Sequence, residues 1–258
     1  MRGLGEHLAA RNYTVHAVQL AGHSHESLDG MHETTWRDWY NSAEEGFNQL
    51  RSRCARVVVV GFSMGGALSL LLARRRAFEQ LVLLSTPLWL QGDWRIGLLP
   101  IARHFIEWYY PMEHADMNDP MVRARVLERA PNLNLDDQEV VAKVRRAVRL
   151  PVGAIDELRM LVNRARQVVP AVHVPTLIMH GLNDGIISPD CSAELYQRLG
   201  STEKELVYWE HTSHQILLTG NHRQAIFNRI AEFVRTVDQP RRLERTERAT
   251  APLMQSVA

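Results

Sequence analysis

Residues 56–85, RVVVVGFSMGGALSLLLARRRAFEQLVLLS, constrain this chain more than any other stretch. Four consecutive valines, Val57 to Val60, show no apolar–polar alternation, the pattern of a strand buried on both faces. A glycine-punctuated turn and an apolar helical stretch follow at once, and QLVLLS (80–85) is a second buried strand. Two buried strands joined through a helix imply a parallel sheet with helices on both faces, hence an α/β fold. The alternation resumes with PTLIMHG (175–181), a helix near 190–199, KELVYWE (204–210) and a helix to about Val237.

Upstream, Leu4 and Leu8 have the spacing of one helical face, and YTVHAVQL (13–20) is rich in β-formers and predicts a strand. Residues 21–34 form a loop, and a helix is expected from Trp36 to Arg51. Between 88 and 170 the character changes. Trp89, Trp94, Trp108, Tyr109 and Tyr110 cluster there, amphipathic Arg/Glu-rich stretches follow, and Pro100, Pro111, Pro120, Pro131 and Pro151 punctuate the segment. This predicts helices without a strand, inserted as a cap into a core made of 1–87 and 171–238. The polar, aperiodic tail 239–258 is expected to be disordered.

The chemistry begins at Gly61-Phe62-Ser63-Met64-Gly65. Set between a buried strand and a helix, Gly-x-Ser-x-Gly is the pattern of a nucleophile elbow: the turn strains the serine backbone, and the glycines on either side relieve crowding. The hydroxyl then sits over a helix N-terminus, whose dipole favours developing negative charge. A serine at neutral pH needs a base, and the base needs an orienting carboxylate. Asp184, in His180-Gly181-Leu182-Asn183-Asp184-Gly185, follows a late strand; His211-Thr212-Ser213-His214 follows the last one. The order Ser, Asp, His is that of an elbow-type hydrolase. Taken alone, Asp184 could equally be a turn residue, and either histidine a surface residue or helix cap.

With these pieces the chain resembles the α/β-hydrolase superfamily, in its bacterial carboxylesterase and monoacylglycerol lipase-like branch. LAARNYTVHAVQLAGHS, VVVVGFSMGGALSLLLA, VPTLIMHGLNDGIISPD and WEHTSH carry the resemblance. It implies a catalytic triad of Ser63, Asp184 and His214, with His211 a minor rival because Ser213 stands where relatives usually have Gly. It also implies acyl transfer to Ser63 from a small-molecule carboxylic ester, with the Met64 backbone N–H as one oxyanion donor. Other serine chemistry on the same scaffold, or a non-catalytic remnant, remain the alternatives. In the resembling enzymes a strand and a loop bearing the second oxyanion donor come before the helix in which this chain starts. The resemblance therefore implies an N-terminally truncated form. Either the start lies upstream, or the sheet closes by pairing YTVHAVQL directly with RVVVVG.

Composition excludes other classes. Thirty basic against 29 acidic residues leave a net charge of +1, which gives nucleic acid no electrostatic footing. The N-terminal MRGLGEHLAARNY has no apolar stretch long enough for a signal peptide, and no segment is expected to span a bilayer or insert stably into a membrane. Cys54 and Cys191 are expected as free thiols, consistent with a cytoplasmic location. His16, His23, His25 and His32 are dense, yet no pair has a helical metal-ligand spacing, so neither metal nor cofactor is expected.

Overall fold

The computed structural model describes residues 1–23, 29–92, 94–147, 149–218 and 222–238. His25 and the tail expected to be disordered lie outside the described residues.

Helix α1 (Arg2–Ala9) buries Leu4 and Leu8, the pair whose spacing predicted it. Helix α2 (Trp36–Arg51) starts where the Asp38 carboxylate accepts bonds from the Thr35 backbone N–H (2.8 Å) and hydroxyl (2.7 Å). Strand β1 (Val58–Phe62) leads through Ser63 into α3 (Met64–Arg75), and β2 (Gln80–Leu84) follows. The middle of the chain holds α4 (Leu99–Ala102), β3 (Trp108–Tyr109), α5 (Pro120–Arg129), α6 (Gln138–Ala147), β4 (Leu150–Pro151) and α7 (Val152–Val168). Then come β5 (Thr176–Gly181), α8 (Asp190–Arg198), β6 (Lys204–Trp209) and α9 (Arg223–Arg235).

The main sheet is parallel throughout, in the order β1-β2-β5-β6. Its central strands explain the missing alternation. Leu81, Leu83 and Ile178 face one core, with Trp39 of α2, Leu68 of α3, Leu161 of α7 and Leu195 of α8. Val82, Leu84, Leu177 and Met179 face the other, with Leu4 of α1 and Ile226 and Ile230 of α9. Both faces are dry, so both sets of side chains must be apolar.

One expected strand does not form. Tyr13–Leu20 has no ladder partner, and most of its side chains are exposed. Val15 lies against Gly5 of α1 and Val18 against Gly46 of α2. The direct pairing with β1 is therefore not made, and among the described residues β1 is an edge strand, most of its residues only half-buried. β-propensity is realised only through pairing, and this segment packs against helices rather than along the open edge of β1.

The middle segment is mainly helical, with one departure. The short strands β3 and β4 pair antiparallel, Trp108 opposite Pro151 and Tyr109 opposite Leu150. Met117, Leu135 and Val144 form a small separate core there. The C-terminal half of α7 instead joins the main core through Leu161 and Ala165. Its N-terminal half carries the buried carboxylates Asp156 and Glu157, both bonded by Arg103 (2.9 and 3.0 Å). Among the described residues no helix is long and apolar enough to cross a membrane.

Candidate active site

Ser63 leaves β1 with φ 52° and ψ −121°, a backbone conformation costly for a residue with a side chain. It is held by the Ser63 N–H donating to the Leu84 carbonyl (2.8 Å) and the Gly66 N–H donating to the Ser63 carbonyl (2.8 Å). Close approach explains two of the surrounding glycines. A Cβ on Gly61 would lie 2.5 Å from Ser69 Oγ and 2.6 Å from the Gly65 carbonyl oxygen; on Gly66 it would lie 2.0 Å from Thr86 Oγ1. The expectation for Gly65 is corrected: a Cβ there would meet nothing within 4 Å. The crowding falls one residue later than the motif suggests, because Thr86, two residues beyond β2, packs against Gly66.

The three residues singled out from sequence come together. Ser63 Oγ lies 3.1 Å from His214 Nε2, and His214 Nδ1 lies 2.7 Å from Asp184 Oδ2. Asp184 and His214 are 6% and 7% exposed, and the Phe62 ring lies 5.1 Å from the His214 ring. Asp184 sits on the loop after β5, and His214 on the loop after β6. Those loops are bound to each other: Leu182 N–H donates to the Trp209 carbonyl (2.9 Å) and Asn183 N–H to the Thr212 carbonyl (3.0 Å). Gly181 makes this possible, since a Cβ there would come within 2.3 Å of the Thr212 carbonyl oxygen. His211 is exposed, at φ 50° in the turn, and the bonds to Asp184 and Ser63 are made by His214.

Asp184 is a turn residue and the histidine's acceptor at once. Oδ1 accepts the N–H groups of Ile186 and Ile187, both at 2.9 Å, and Oδ2 faces His214. Burial works to raise this carboxyl. Hydrogen bonds from His180, His214 and the Ile187 N–H override it and hold Asp184 well below the usual carboxylate range. His180 is the participant that sequence reasoning passed over. Its signal was one polar side chain inside the apolar run TLIMHG.

Met64 is the first residue of α3, so its N–H has no acceptor within the helix and stands beside Ser63 at the positive end of the dipole. Among the described residues no cluster of three or more His, Cys, Asp or Glu is arranged to hold a metal. His23 Nδ1 is instead 3.0 Å from the Ala21 carbonyl, and His32 packs edge-on against Trp108. Both cysteines are free thiols, Cys191 buried and Cys54 half-buried. A cavity of about 860 Å³ lies within the middle segment rather than at Ser63. Its lining includes Arg123 and Asp136, which pair with each other at 2.8 Å, and Arg145.

The profile of the family described as "Hydrolase_4: Serine aminopeptidase, S33" matches residues 1–220. Among curated proteins, the thermostable monoacylglycerol lipase of Bacillus sp. (strain H-257) is 28% identical over 214 residues, covering 83% of this chain and 76% of the lipase. The carboxylesterase of Bacillus subtilis (strain 168) is 22% identical over 241 residues, covering 92% of this chain and 87% of the esterase. Among solved structures, one described in work on the metagenome-derived lipolytic enzymes LipS and LipT superposes with a TM-score of 0.73. It is 24% identical, with 92% of this chain and 87% of that one covered, and supports the fold alone.

Proposed function

This chain belongs to the serine aminopeptidase S33 family of α/β-hydrolases, and from that premise we propose that it hydrolyses carboxylic esters of short or medium acyl chains, monoacylglycerols among them, through an acyl-enzyme on Ser63. The observation that carries the reading is the continuous relay from Ser63 Oγ to His214 Nε2 (3.1 Å) and from His214 Nδ1 to Asp184 Oδ2 (2.7 Å). The names of the two Bacillus relatives support an ester as substrate over a peptide.

In the proposed cycle Ser63 Oγ attacks the ester carbonyl carbon and its proton passes to His214 Nε2. Asp184 accepts a hydrogen bond from Nδ1–H throughout, which fixes the tautomer and stabilises the imidazolium. The carbonyl oxygen becomes an oxyanion, stabilised by the Met64 N–H. Collapse expels the alcohol, which takes the proton from Nε2. A water molecule, deprotonated by His214, then attacks the acyl-Ser63 ester and releases the acid with Ser63 restored. Residues 88–170 serve as a cap on the core of 1–87 and 171–238 and bound the space for the acyl chain.

A fluorophosphonate probe and p-nitrophenyl esters of graded chain length test this. Labelling that is lost in Ser63→Ala, with ester turnover lost in parallel, is the expected result. A folded protein that neither labels nor turns over esters would sink the reading.

A further inference from the structure

His180 is the penultimate residue of β5 and is fully buried, 0% exposed. A buried imidazole must satisfy both ring nitrogens, and here both are met. Nε2 lies 3.0 Å from Asp184 Oδ2 and 3.2 Å from the Ile187 carbonyl oxygen. An ionised carboxylate and a carbonyl only accept, so Nε2 carries the hydrogen. Nδ1 lies 2.6 Å from Ser192 Oγ on α8, a residue itself 0% exposed. In the neutral ring Nδ1 offers a lone pair, and the Ser192 hydroxyl donates to it. Two backbone N–H groups hold Asp184 Oδ1, while two imidazoles share Oδ2: His214 from the loop after β6, and His180 from beneath.

We propose that His180 is a positioning residue for the serine chemistry: its Nε2–H fixes the Asp184 carboxylate in place and, by sharing Oδ2, sets how strongly Asp184 draws on the His214 proton. This inference rests on the triad reading above. His180 acts in two ways. As a rigid strand residue locked by Ser192, it orients the carboxylate that orients the base. As a donor to Oδ2, it spreads the charge that would otherwise fall on His214 alone. Removing it concentrates that charge, stabilises the His214 imidazolium and raises the pH at which the base gains its proton. Other neighbours do not supply the same effect. On α8, Asp190 accepts the Ser188 hydroxyl (3.0 Å), and burial pushes the Cys191 thiol up, so it stays neutral. From β1, Phe62 presents a ring and no charge.

The test begins with the wild-type protein and Ser63→Ala, labelled with fluorophosphonate and assayed on p-nitrophenyl butyrate. The pH profile of kcat/KM is then measured for wild type, His180→Leu and His180→Gln. In His180→Leu the acid limb should move up by about half a pH unit or more. Its kcat should fall roughly 10- to 100-fold, with KM within about twofold, as for a misaligned base rather than a damaged binding pocket. His180→Gln, whose amide N–H reaches the same place, should recover most of both. A long-range proton–nitrogen NMR correlation on the wild type keeps the inference falsifiable if His180→Leu does not fold. The His180 ring should be the Nε2–H tautomer, and an Nδ1–H ring would overturn the inference. So would a folded, active His180→Leu whose acid limb coincides with that of the wild type. A wild type that neither labels nor turns over would overturn the triad reading, and this inference with it.

Discussion

Gly181 and Thr212 are in backbone contact: a Cβ added to Gly181 would lie 2.3 Å from the Thr212 carbonyl oxygen and 2.8 Å from that of Ser213. Through this contact the loop carrying Asp184 and the loop carrying His214 lie against each other. Gly181→Ala must force them apart. We expect kcat to fall by about 10²-fold, since displacement of the order of an ångström is enough for that. Fluorophosphonate labelling should slow in proportion, and KM should change little. A Gly181→Ala protein with wild-type kcat would refute the contact's role.

The elbow glycines should separate in stability. Gly66→Ala would place a Cβ 2.0 Å from Oγ1 of the fully buried Thr86 and should cost about 1–3 kcal/mol, the usual range for overpacking. Gly65→Ala enters open space within α3 and should be neutral, or stabilising by up to about 1 kcal/mol. Denaturant unfolding of the two variants decides it; equal losses would contradict the geometry.

The two histidines of the final loop should differ sharply. His214→Ala and Asp184→Asn are expected to lower kcat/KM by roughly 10³ or more. His211→Ala, exposed and outside the relay, should stay within about twofold. The reverse order would transfer the base role to His211.

Acid should weaken the fold through Asp184. Its carboxyl is held well below the usual range in the folded protein, so the unfolded chain binds its proton more readily. The resulting stabilisation is fully present above the unfolded value of about 4, and is lost as pH falls toward the folded value. The difference in Tm between wild type and Asp184→Asn should therefore narrow steadily below about pH 4. A constant difference from pH 7 to pH 3 would count against the assignment.

Arg103 should matter more than a surface arginine. It bonds Asp156 and Glu157, whose side chains are 3% and 7% exposed. Arg103→Ala leaves Glu157 without that cation, while Arg159 still holds Asp156 at 2.8 Å. A loss of about 3 kcal/mol in unfolding free energy is expected, since breaking a buried pair strands a charge. Arg2→Ala, which breaks an exposed pair with Glu6, should show no measurable change.

The sequence by itself determined the features whose causes are local. The TLIMHG run is apolar at nearly every position because both faces of the sheet are covered, so that buried strand was legible without coordinates; Val58 to Val60 also pack against both cores, but on the edge strand they stay half-buried. The turn at Ser63 and the order Ser63, Asp184, His214 were legible for the same reason: each follows a strand of recognisable character. Tertiary structure decided what depends on a distant partner. Tyr13–Leu20 has strand composition, yet it lies against α1 and α2 and does not pair with the open edge of β1. His211 and His214 share one loop, and the contact of Thr212 with Gly181 decides which of them faces Asp184. His180 looked like part of a strand until the fold brought Asp184 to one ring nitrogen and Ser192 to the other. Local propensity and burial are written in adjacent residues; a hydrogen bond across 30 or 151 positions, such as those of His214, exists only once the chain has closed on itself.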